Sequence, residues 1–280
     1  MSAREQRAAI ARETLAIVAA GRYVNGDGRS VEMAAAVRAC VASTRLVAAE
    51  EPVDPGRAPG VDTVFEVRNE SALAALARRV ASGNRQVGVL NFASARHPGG
   101  GFQRGAEAQE EALARSSALH ASLTSPAAAP FYRHDAPLSS LYTDRVIVSP
   151  GCPVFRGADG GLLPEALPAT FLTCAAPNAT ALRANEPQLE AQLPETFERR
   201  VARVLGVAAQ AGCDALVLGA WGCGVFGNDP HLVAGVFARH LRGAGAFARR
   251  FSHVDFAVPD SSPATERWRA FERAFAQEMR

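Results

Sequence analysis

Three consecutive glycines, Gly99, Gly100 and Gly101, are followed after seven residues by Gln109, Glu110 and Glu111. Glycines in succession expose main-chain N–H groups with no Cβ in the way and accept positive φ, so such a loop can wrap an anion such as a diphosphate. Negative charge held beside a carboxyl raises its pKa. A glutamic acid kept protonated near neutral pH is the group needed to protonate a departing sugar oxygen. Successive helix residues point about 100° apart, so Glu110 and Glu111 cannot serve the same atom; one would hold a sugar hydroxyl while the other reaches the glycosidic oxygen. Taken alone, a triple glycine is more often a flexible turn, and two glutamates at a helix start more often answer the helix dipole. Their conjunction is what points to acid catalysis beside a bound anion.

A second glycine loop carries Gly222, Gly224, Val225, Phe226 and Gly227. Its G-x-G-x-x-G spacing is the dinucleotide fingerprint, which makes a Rossmann unit a rival reading. That unit needs an acid about 20 positions further on to hold a ribose, and beyond Gly227 none occurs at that distance, the next being Asp255. The loop therefore reads as a second anion loop of another kind. Phe226 would either stack on a base or sugar face or tuck into the core. Cys223 lies in the same loop, but no particular histidine pairs with it in the sequence, so a catalytic thiol is not expected.

Both loops need elements to hold them. Strands are expected over residues 63–67, 87–91, 145–149, 170–175, 215–220 and 254–258, alternating with helices over 71–81, 106–123, 194–211, 231–241 and 263–277. Such alternation means an α/β sheet flanked by helices. Asn91 then ends the strand before the first loop, and Gln109 lies near the start of the helix after it. Residues 3–19 have an amphipathic pattern that Gly21 would stop, and Ser30 would cap a second helix to about residue 43. A Pro/Gly-rich loop over 51–60 sets a soft boundary between an N-terminal helical extension, 1–60, and a core, 61–280.

With 280 residues, 48% hydrophobic and 21% charged, the chain reads as a globular protein built on one core. The net charge of +2 gives no argument for a nucleic-acid groove, and all 30 basic residues are arginine. Five cysteines without a C-x-x-C pair suggest neither a disulfide framework nor zinc, and fit a reducing cytoplasm. His97, His120, His134, His231, His240 and His253 show no metal-ligand spacing, and Arg133, His134 and Asp135 read as a surface loop. The apolar stretch over 14–20 is too short for a secretory signal and no run of about 18 apolar residues occurs, so no membrane association is expected.

The triple glycine with Gln-Glu-Glu at short spacing resembles the signature of poly(ADP-ribose) glycohydrolases of the compact bacterial kind. Asn91-Phe92-Ala93-Ser94 looks like the strand end of macrodomains, with Ser94 where many of them carry a second Asn, and the loop from Gly222 looks like their second diphosphate loop. The resemblance covers most of residues 61–280 and implies a three-layer α/β/α macrodomain with a mixed central sheet; residues 1–60 are similar to the bacterial N-terminal extension. It implies poly(ADP-ribose) or ADP-ribosylated proteins as partners, ADP-ribose as product and no cofactor. Glu111 would be the general acid for the leaving 2′-oxygen and then the base for water. Glu110 would hold hydroxyls of the ribose being cleaved, Gln109 would brace the loop, and Asn91 would touch substrate. Gly99, Gly100 and Gly101 would enclose the diphosphate with Gly222, Gly224, Val225 and Gly227, with Phe226 against the distal ribose. Most glycosidases use two carboxylates on opposite faces of the ring; here a single acid would leave an oxocarbenium-like state stabilised by the substrate's own diphosphate.

Two other readings compete. One is a hydrolase of single ADP-ribose units on proteins, DNA ends or acyl esters, which does not need the Gln-Glu-Glu triplet. The other is a module that binds ADP-ribose without turnover, since a fold alone does not establish catalysis.

Overall fold

Successive residues over 87–90, 169–174 and 215–218 are all buried, the pattern of strands covered on both faces. The computed structural model describes residues 1–54, 56–134 and 137–276. In chain order, α1 (Ala3–Ala20) leads through the strands β1 (Arg22–Val24) and β2 (Ser30–Glu32) into α2 (Ala34–Ser43) and the short β3 (Arg45–Val47). Then come β4 (Val64–Arg68), α3 (Ala72–Ala81) and β5 (Val87–Phe92), followed by three short helices, α4 (Gln109–Ser116), α5 (Leu119–Leu123) and α6 (Ala129–Tyr132). The long hairpin of β6 (Val146–Arg156) and β7 (Leu162–Cys174) precedes α7 (Ala179–Asn185), α8 (Leu193–Gln210) and β8 (Ala215–Leu218). The chain continues through α9 (Pro230–Leu241), β9 (His253–Ala257) and α10 (Glu266–Phe275).

Seven strands form one sheet in the order β3-β6-β7-β5-β8-β9-β4. The five from β7 to β4 run parallel, while β6 is antiparallel to β7 and β3 to β6. Alternate side chains leave opposite faces, as the strand period requires. Leu90, Leu172, Leu216 and Phe256 pack under α8, α9 and α10 through Phe197, Val201, Phe237 and Phe271. Val89, Phe171 and Val217 pack under Leu76 of α3, Leu113 of α4 and Leu119 of α5. The result is the expected three-layer α/β/α arrangement with a mixed sheet.

Several elements differ from the expectation. The helix expected over 106–123 breaks in two, because Ser117 is extended (φ −148°, ψ 175°), bridges Val154 of β6, and gives its hydroxyl to the Leu113 carbonyl at 2.7 Å. Ser30 is in β2 rather than capping a helix: Asn25 Oδ1 accepts the N–H groups of Asp27 and Arg29, both at 3.0 Å, and so folds the Asn-Gly-Asp-Gly segment into a hairpin turn. The strands β6 and β7 extend well past the expected 145–149 and 170–175. Pro150, Pro153, Pro164 and Pro168 disguised them, and the β6–β7 register shifts between Ser149 and Cys152. Residue 60 is no break in the sheet, since β3 on its N-terminal side is hydrogen-bonded to β6. Asp135 and the end of the helix expected to reach Gln277 lie outside the described residues. No helix among the described residues is long and apolar enough to cross a membrane.

Candidate active site

The parallel strands end together along one edge of the sheet, where the loops that follow them can enclose a ligand. A cavity of about 490 Å³ opens at that edge. Its walls include Phe92 at the end of β5, Gln109 and Ala112 on α4, Trp221 and Phe226 from the loop after β8, and Arg267 on α10.

Gln109 ties the first turn of α4 to the end of β5. Its Oε1 accepts the Phe92 N–H at 2.9 Å and its Nε2 donates to the Leu90 carbonyl at 2.7 Å. The amide thus braces the strand rather than the glycine loop. Glu110 points inward and is only 2% exposed. Its Oε2 accepts the Ser94 N–H at 2.7 Å and its Oε1 the Asn91 amide at 3.3 Å. Burial pushes its pKa up to about 8 against the lowering effect of these donors, with the charge of Glu111 adding a smaller upward push. Asn91 itself is fully buried and gives its other amide contact to Thr173 Oγ1 at 3.2 Å, so it stands behind Glu110 and away from the cavity.

Glu111, partly exposed, turns toward the glycine loop, where its Oε1 accepts the Gly101 N–H at 2.9 Å. Gly100 has φ +61°, and a Cβ there would lie 3.0 Å from Glu111 Cδ and 3.2 Å from Glu110 Oε2, so both carboxyls depend on its lack of a side chain. Ser94 opens this loop: its hydroxyl accepts the N–H groups of Arg96 at 3.2 Å and His97 at 3.1 Å. The Gly100 N–H is taken by the His97 carbonyl at 2.9 Å. All three glycine N–H groups are therefore engaged within the protein, that of Gly99 by Glu110, and the loop acts first as a clamp on the carboxylates. The cavity wall contains Gln109 and Ala112 but neither Glu110 nor Glu111, which leave the adjoining side of the same helical turn.

The second loop is built differently. Trp221 is fully buried and donates from Nε1 to the Cys174 carbonyl at 3.3 Å. Asn228 Nδ2 bridges the carbonyls of Pro177, at 2.8 Å, and Gly222, at 2.9 Å. Gly222 and Gly227 have φ +74° and +64°, and Val225 at the tip is 88% exposed. Among the described residues, the N–H groups of Gly224, Val225 and Phe226 donate to no protein acceptor, so this loop, more than the triple glycine, presents free donors. The Phe226 ring is partly buried, lines the cavity and stands 6.0 Å from the Tyr142 ring. Cys223 has its thiol pushed up to about 12, first by burial and then by the charge of Asp229, which removes it as a nucleophile.

Neither Tyr132 nor Phe131, the two rings of α6, lines the cavity. The Tyr132 hydroxyl is buried with no hydrogen-bond partner among the described residues, and its pKa is raised by burial and by the charge of Glu110. Sequence reasoning missed Arg267, which pairs with Asp260 at 3.2 Å, and Ser71 at the start of α3. A single arginine in a helix far along the chain carries no local signal of its place in a wall.

The family described as microbial-type PARG, catalytic domain, matches residues 11–157. The chain is similar to the poly(ADP-ribose) glycohydrolase of Thermomonospora curvata bound to the inhibitor ADP-HPD, with 46% identity, a TM-score of 0.90, and coverage of 97% of this chain and 100% of that one. It is also similar to the poly(ADP-ribose) glycohydrolase of Deinococcus radiodurans in complex with ADP-ribose, with 44% identity, a TM-score of 0.80, and coverage of 86% and 97%. None of the curated proteins matches the chain.

Proposed function

The chain belongs to the microbial-type poly(ADP-ribose) glycohydrolase family, and from that premise we propose that it hydrolyses the ribose–ribose bonds of poly(ADP-ribose), with Glu111 as general acid and base. The observation that carries the proposal is the Glu111 carboxyl on α4: it is partly exposed beside the cavity and held by the Gly101 N–H at 2.9 Å. A carboxyl fixed in this way can protonate the departing 2′-oxygen and then take a proton from the attacking water.

The remaining roles follow from the same geometry. Glu110, with a pKa of about 8, is largely protonated at neutral pH and would fix the ribose-side loop through Ser94, so that its hold on ribose hydroxyls would run through that loop. Gly224, Val225 and Phe226 would supply N–H donors to the diphosphate, with Gly222 and Gly227 setting the turn, while Gly99, Gly100 and Gly101 would hold the two carboxyls of α4 in place. Phe226 would pack on the distal ribose. Asn91 would act through Glu110 rather than on substrate. The oxocarbenium-like state would lean on the substrate's own diphosphate. ADP-ribosylated proteins would be the carriers of the polymer, and five unpaired cysteines suit a reducing cytoplasm.

The test compares wild type with Glu111→Gln on automodified poly(ADP-ribose), following free ADP-ribose by chromatography. Release by wild type, reduced about 100-fold or more in the variant, is expected. Equal release by both proteins removes Glu111 from the reaction; no release from polymer, with tight ADP-ribose binding by both, leaves a reader or a hydrolase of single ADP-ribose units.

A further inference from the structure

Glu111 and the cavity lie on adjoining sides of the first turn of α4, and what lies beyond Glu111 is basic. A Cβ on Gly101 would be 3.9 Å from Glu111 Oε1 and 4.0 Å from Arg104 Nη2, so the carboxyl and the guanidinium approach the same point from two sides. Arg104 is exposed, in the single 3-10 turn that follows the triple glycine. Beside it lies Arg4 of α1, also exposed, whose Nε donates to the Arg104 carbonyl at 3.0 Å. Neither guanidinium has an ion-pair partner among the described residues, whereas the neighbouring Arg7 is paired with Glu107 at 2.7 Å.

This pair is built rather than incidental. Arg7 Nε donates to the Gly105 carbonyl at 2.9 Å. Gly105 has φ +73°, and a Cβ there would lie 3.0 Å from the Arg4 carbonyl carbon, so the first turn of α1 rests directly on a glycine that cannot be larger. Ser2 and Glu5 form a reciprocal cap that holds that turn helical.

We infer that Arg104 and Arg4 form a subsite for the diphosphate of the polymer unit on the leaving side of the scissile bond. The inference rests on the glycohydrolase reading. A unit whose ribose is presented from the cavity to Glu111 directs its leaving oxygen away from the cavity, over Gly101 and toward Arg104. In poly(ADP-ribose) that oxygen is the 2′-oxygen of the next adenosine, and the 5′ position of the same ribose carries a diphosphate. Two unpaired guanidinium forks suit such a dianion, and each charge-assisted contact strengthens binding.

The test uses Glu111→Gln as a background that binds without turnover, with ADP-ribose and the two-unit oligomer as ligands in titration calorimetry. The expected result is an oligomer bound about tenfold more tightly than ADP-ribose, a preference that weakens with salt and that Arg104→Ala removes while the ADP-ribose affinity stays put. Arg104→Lys should keep part of it and Arg4→Ala should lose part of it. No preference in the background, or an undiminished one in the Arg4→Ala/Arg104→Ala protein, overturns the subsite. Failure of wild type to release ADP-ribose from polymer is a separate result that removes the glycohydrolase reading and the subsite with it.

Discussion

The main-chain N–H of Ser94 donates to Glu110 Oε2 at 2.7 Å, so the residue that opens the glycine loop is held by a carboxyl on the helix that closes it. Burial outweighs this donor and raises Glu110 to about 8 from an ordinary 4.5. Below about pH 4.5 both folded and unfolded chains hold the proton; between 4.5 and 8 only the folded state does, so this group's contribution to stability falls as pH rises and is lost above 8. Relative to Glu110→Gln, which cannot titrate, wild type should lose roughly 3 kcal/mol of unfolding free energy between about pH 5 and 8. Denaturant titrations across that range check this; parallel curves for the two proteins would mean that Glu110 ionises in the ordinary range.

Gly100→Ala should leave the fold intact at a cost of about 1–3 kcal/mol, since it forces a left-handed alanine against two carboxyls. Its effect on turnover should be far larger than its effect on stability, a loss of about 100-fold, because the Glu111 carboxyl must move. Thermal melting together with ADP-ribose release separates the two, and an active, well-folded variant would show that the carboxyl has room to spare.

Gln109→Ala removes both bonds between α4 and the end of β5. A destabilisation of about 1–3 kcal/mol is expected. Turnover should fall more than substrate affinity does, since the catalytic helix is loosened while the second loop is untouched. A change confined to KM would argue against this division.

Asn228→Ala frees the second loop from the Pro177 and Gly222 carbonyls. Weaker binding of ADP-ribose, by about tenfold, is the expected outcome, because an ordered loop loses less entropy on binding than a free one. Equilibrium binding to the Glu111→Gln background measures it without interference from turnover.

Much of this was legible in the sequence, and the illegible parts share a physical character. The triple glycine, the Gln-Glu-Glu triplet and the second loop are local patterns, and the alternation of strands and helices gave the layers. What was hidden depends on partners distant in the chain. Ser117 breaks a helix because a β6 residue waits for its main chain, and Arg267 enters the wall from α10. Gly100 and Gly101 look like anion donors in sequence, yet their N–H groups are taken by His97 and Glu111. Asn91 sits at a strand end as expected, but its side chain faces inward to Glu110, a direction that residue type alone does not disclose.

The small strand β3 has a consequence for how the molecule comes together. Its three residues pair Arg45 with Val148 and Val47 with Val146, across about a hundred intervening positions. That contact closes a loop of about a hundred residues, whose entropy cost three residue pairs must offset. Until it forms the outer edge of β6 stays open along Val146, Ile147 and Val148, an apolar ladder ready to accept a strand from another molecule. The first fifty residues therefore act as the stitch that seals this edge of the sheet, and a chain deprived of them would be expected to associate through it.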